Sequence, residues 1–135
     1  MKYLSKEATK VMDKLTEGLD EDNPSRKISN SDLYMAVNVD RLETIDAGQM
    51  FAVAHNFIMN GDVMADPDMG FLQATDPRGN HMYFPTHYQL DSLGMYQASA
   101  EFEDGKLRGI RPRLQREHTS FANLWMRNIK VQQQL

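Results

Sequence analysis

Cysteine is absent from this sequence. That excludes disulfides, thiolate metal sites and a cysteine nucleophile, and it leaves the redox compartment open. Long apolar runs are missing too, and no stretch approaches the roughly 18 to 20 residues needed to cross a bilayer. The opening MKYLSKEATK has lysine but no apolar segment behind it, so no secretory signal is expected and the expected location is cytoplasmic. No internal repeat, low-complexity tract, HExxH helix, GxSxG elbow or glycine-rich phosphate loop occurs. These absences remove the best-defined catalytic motifs and favour a binding protein over an enzyme.

The 135 residues that are present fit a single domain, 1–135, long enough to bury a core. Apolar residues make up 41% and charged residues 25%, which argues against a disordered or fibrous chain. Ten methionines are many for this length and read as flexible core filler. The net charge of -4 conceals a division. Residues 1–105 hold 18 acidic and 8 basic side chains, whereas residues 106–135 hold seven basic side chains against Glu117 alone. Such asymmetry marks either a nucleic-acid surface or a basic end that packs beside its own acidic part.

Hydrophobic spacing supplies the elements. Leu4, Ala8, Val11, Met12, Leu15 and Leu19 recur at three and four residues, one face of a helix. Gly18 and DEDNPS end it, and residues 20–31 read as a polar, flexible connector. From Leu33 to Val39 the period becomes two, which predicts a strand. Further strands are expected over Gln49–Met59, Asp68–Thr75, His81–Leu90 and Tyr96–Glu103. Asn60-Gly61 and the DPRGN segment supply tight turns. Pro112 then opens a second helix, with Leu114, His118, Phe121, Trp125 and Ile129 on its apolar face. The predicted fold is α+β: a helix, an antiparallel meander of about five strands, and an amphipathic helix packed on the sheet.

Two groups of residues are candidates for function. The first is NGDVMADPDM, residues 60–69, with Asp62, Asp66 and Asp68 close together. Neither register of the calcium-loop pattern fits, because proline or glycine falls where the pattern needs another residue. A looser Mg²⁺ or Mn²⁺ site needs fewer carboxylates, and His55 on the preceding strand would be within reach of the turn. That gives a metal-assisted hydrolase as the alternative function. Asp, Asn, Gly and Pro are also the residues that turns require for backbone reasons, and this structural reading is preferred. His81 and His87 share a strand about 20 Å apart, too far to hold one ion.

The second group is the cationic side of the last helix: Arg111, Arg113, Arg116, Arg127 and Lys130. Its side chains are placed to contact phosphates along a nucleic-acid backbone, an interaction sensitive to salt and indifferent to sequence. The competing reading is a solvated helix face whose arginines pair with the acidic part of the chain. A protein partner at that acidic part is a further binding reading.

Three stretches also carry a resemblance: HNFIMNGDVMADPDMGF (55–71), YFPTHYQLDSLGMYQ (83–97) and RPRLQREHTSFANLWMRNI (111–129). Together they resemble a family of small domains of unknown function from bacteria, phages, plasmids and integrated elements. The matching positions are His55, Asn60, Gly61, Asp62, Met64, Asp66, Pro67, Asp68, Met69, Phe71, Asp91, Gly94 and Gln97. Ile58 and Met59 depart from the family, whose members often carry polar residues there. The resemblance spans about the last 80 residues and omits the first helix. It implies no activity, only a mobile-element setting in which small proteins act on DNA transactions or host defence, and that step is one of association.

Overall fold

Ser5 begins the first helix by accepting a hydrogen bond from the Ala8 amide, which satisfies one of the free donors at a helix start. In the computed structural model, which describes residues 1–135, this helix is α1 (Lys6–Thr16). Its buried face is Ala8, Val11, Met12 and Leu15, as the spacing predicts. At its far end the Arg26 guanidinium donates to the carbonyls of Lys14, Leu15 and Glu17, placing a cation where the helix is electronegative.

Arg26 belongs to β1 (Ser25–Ile28), so the stretch read as a connector contains a short edge strand. Then follow β2 (Val37–Ile45), β3 (Gly48–Met59), β4 (Asp62–Thr75), β5 (His81–Leu90) and β6 (Met95–Ala98). The strands pair in chain order, every neighbour antiparallel, giving a six-stranded meander. A separate hairpin, β7 (Ala100–Glu103) with β8 (Lys106–Ile110), comes next.

Several expectations are corrected. The sheet has six strands, not about five, because the short, largely exposed β1 lies within the polar stretch expected to be a connector. The predicted strand over Tyr96–Glu103 divides at Ser99, whose amide donates to Thr86 and whose carbonyl accepts from Arg111. Strand β8 is exposed throughout and therefore shows no alternation. The strand expected at Leu33 starts at Val37, and Leu33 is 87% exposed. Most consequential, β4 begins at Asp62 rather than Asp68, so the acidic run is strand and not turn. Only Asn60 and Gly61, both at positive φ, make the turn.

The second helix is α2 (Pro112–Gln132), with proline in its first turn. His118, Trp125 and Ile129 are buried as expected, while Leu114 and Phe121 are only half-buried. The buried stripe is rotated toward Gln115, Thr119, Ala122 and Met126. Gln115 tolerates burial because it is bonded: it holds both the amide and the carbonyl of Lys2, and reaches the Pro85 carbonyl. Both helices lie on one face of the sheet. Val37, Val39, Val53, Met69, Phe71 and Tyr83 of that face form one core with α1 and with Ala122, Trp125, Met126 and Ile129 of α2. Each such large side chain contributes about 1.5–3 kcal/mol on burial. The β7–β8 hairpin closes over part of the opposite face, tied at its tip by the Asp46 amide to the Gly105 carbonyl. No helix is long and apolar enough to cross a membrane.

Candidate functional site

The cationic residues of α2 and of its cap, Arg111, divide into paired and free. Arg111 donates to the Ala98 carbonyl at 2.5 Å and meets Glu101 at 3.4 Å. Arg113 pairs with Glu117 one turn along, at 3.5 Å, with both side chains exposed. Arg116, Arg127 and Lys130 are exposed and have no carboxylate within 4 Å. The two ion pairs that Arg111 and Arg113 form are local, and neither reaches the acidic residues before Glu101.

The fold adds cations from α1 to those of the last helix. Lys6, Lys10 and Lys14 stand at one-turn spacing on the exposed side of α1, and none has an ion-pair partner. They share with Lys130 a shallow interhelical groove of about 580 Å³. Its carboxylates are Glu7 and Asp13, and Asp13 is bonded elsewhere. Together α1 and α2 hold seven cations and three carboxylates; the remainder of the chain holds eight and sixteen. Charge is thus divided unevenly, the two helices net positive and the rest of the chain net negative.

The acidic run does not converge. Asp62 sits exposed at the hairpin end of β4. Asp66 accepts from the Ser92 hydroxyl through Oδ2, while its Oδ1 is buried without a partner in the protein. Asp68 accepts from Nε2 of His87 at 3.2 Å. His55 is buried against Trp125, edge to face, with ring centroids 5.4 Å apart, and burial lowers its pKa. No three His, Asp or Glu side chains gather in an arrangement able to hold a metal ion. Asp91 is committed to structure: Gln89 and the Ala65 amide both donate to it, and these bonds lower its pKa.

A polar cluster absent from the sequence reading joins α1 to the sheet. Oδ1 of Asp13 accepts from Nδ1 of His81 and from the Tyr83 hydroxyl, both at 2.7 Å. The same hydroxyl accepts from Gln73 Nε2 at 2.8 Å and lies 3.2 Å from the Thr16 hydroxyl. Tyr83 is fully buried, and burial pushes its pKa well above the usual tyrosine value. Nothing in the sequence pairs Asp13 with residues some 70 positions away; the only trace is that Asp13 lies beside the apolar stripe of α1. His118 bonds Ser99 through Nδ1 and Gln97 through Nε2, the satisfied core histidine that its place on α2 predicts.

A family model described as a domain of unknown function (DUF6908) matches residues 6–135. The match takes in α1, which the run-based resemblance left out. No curated protein and no solved structure matches the chain.

Proposed function

For this chain, which belongs to the DUF6908 family of domains of unknown function, we propose a non-catalytic role in binding nucleic acid through the cationic surface of its two helices. The observation that carries the reading is the interhelical groove, where Lys6, Lys10 and Lys14 of α1 meet Lys130 of α2 in a chain of net charge -4. Local positive charge that survives an overall acidic composition has not been neutralised by ion pairing, and it is available to phosphates. Arg116 and Arg127 extend it along α2. Contacts of this kind release counterions and carry no sequence preference of their own. A setting in a phage, plasmid or other mobile element agrees with a small protein that engages DNA, by association.

The test is fluorescence anisotropy with a short duplex at two salt concentrations. About four phosphate contacts would lower affinity about a hundredfold between roughly 50 and 200 mM salt. Replacing Lys10 and Lys130 together by glutamate should weaken binding by at least about tenfold. A flat salt response, or an unchanged affinity in the double variant, overturns the reading. A host protein that docks on the acidic part of the chain is the second binding reading, favoured by the sixteen carboxylates against eight cations outside the helices. The metal-assisted hydrolase has less support, since Asp62, Asp66, Asp68 and His55 occupy separate surroundings.

A further inference from the structure

The largest cavity of the molecule is an open groove of about 610 Å³ between the carboxyl end of α1 and the helix-facing side of the sheet. Phe51 and Leu19 are its apolar lining, and its other walls are polar. Two features set it apart from an ordinary surface hollow. The first is His81, whose Nδ1–H is held by Asp13. Asp13 is itself fixed by the buried Tyr83 hydroxyl, so the ring is held in place and, when neutral, presents Nε2 as its remaining acceptor; the side chain is 40% exposed. The second is Arg41, which lines the groove half-buried and has no carboxylate within 4 Å. Its only side-chain hydrogen bond is a 3.5 Å contact with the Thr44 hydroxyl. A guanidinium taken partly out of water with its fork unoccupied is suited to a planar or tetrahedral anion. Lys14 supplies a second unpaired cation, and Glu17, exposed beside it, offers an acceptor for hydroxyl groups.

We propose that this groove binds a phosphate monoester that also carries free hydroxyls, of about nucleotide size, with the phosphate on Arg41 and Lys14 and a hydroxyl donating to Nε2 of His81. The site does not depend on the helical surface described above, although Asp13 and Lys14 border both grooves. Its phosphate has two sources: a free mononucleotide, or the 5′ end of a strand.

Amide NMR on the intact protein distinguishes them, with three probes: AMP, a short 5′-phosphorylated strand, and the same strand with a 5′-hydroxyl. Saturable shifts of the Gly18, Gln73 and His81 amides are expected with AMP at about millimolar concentration or below. Arg41→Gln and His81→Phe should each weaken this by at least about tenfold. Lys14→Gln, a change on an exposed helix position, should weaken it in the same direction without disturbing the fold. If only the phosphorylated strand moves these amides, the site stands and its ligand is a strand end. If the two strands act alike and AMP does nothing, or if none of the probes moves the groove amides, the proposal is wrong. Unchanged AMP affinity in folded Arg41→Gln or Lys14→Gln protein would also overturn it.

Discussion

His55 and His118 are buried on the helix-facing side of the sheet, and burial holds the pKa of each below the ordinary histidine value. At His118 the nearby Glu117 carboxylate opposes that shift and His87 adds to it. The folded state therefore prefers both rings neutral. Their contribution to stability is complete above the unfolded value of about 6.5 and is lost as pH falls through the lower folded values. A urea midpoint lower at about pH 5 than at pH 7.5 is expected, with the drop reduced in His55→Leu. A midpoint that is level or rises on acidification would contradict this. Gly70 gives a second residue-scale test. A Cβ there would collide with the His87 ring and the Thr86 hydroxyl. Gly70→Ala should cost about 1–3 kcal/mol in denaturant unfolding, since the ring must leave its bond to Asp68. At this scale the sequence was readable for His118, which lies on an apolar helix face. It was unreadable for Gln115 and Asp13, whose partners are distant in the chain and whose polarity masks their burial.

Helices were legible because burial follows their period, and α1 and α2 both lie where the apolar stripes predict. Strands were legible in existence but not in extent. The inner-face residues of β2 to β5 alternate, while β1 and β8 bury too little for any pattern to form. The acidic run misled for a related reason. Asp and Pro are turn residues, yet β3 continues to Met59 and its long partner β4 carries them as strand, so Asp66 and Asp68 stand half-buried beside Ser92 and His87 rather than around an ion. The role of α1 is testable at the same scale. Met12 is fully buried between the helices and the sheet. Met12→Ala should cost about 2–5 kcal/mol by chemical denaturation, against less than about 0.5 kcal/mol for Lys10→Ala on the exposed side. Equal effects at the two positions would mean that α1 is not part of the core.

Taken whole, the protein packs two net-positive helices on a sheet within a chain that is net negative. At physiological salt exposed charges are screened beyond about 8 Å, so a phosphate near the helices responds to those lysines and arginines more than to the total of -4. The Lys10 and Lys130 reversal that weakens duplex binding should leave thermal unfolding almost unchanged, within about 0.5 kcal/mol, because both side chains are exposed and unpaired. Loss of stability in step with loss of binding would place those lysines in the fold rather than at an interface. The charge division itself was visible in the sequence only for α2. The contribution of α1 was hidden, since its lysines are diluted there by neighbouring acids and join the others only when the two helices meet.

That meeting is bonded across nearly the whole chain: the Lys2 amide to Gln115, and the Ser5 amide to Asn123, 113 and 118 positions apart. During synthesis the first helix emerges early and must wait for the last one. Until α2 leaves the ribosome, Met69, Phe71 and Tyr83 present an uncovered apolar sheet, the kind of surface on which nascent chains aggregate or recruit chaperones. A chain released at Ile110 should precipitate or remain chaperone-bound, whereas one carried through Gln133, which is buried and bonded to Asn30 and Met35, to Leu135 should fold in a single late step, on the slow side for its size.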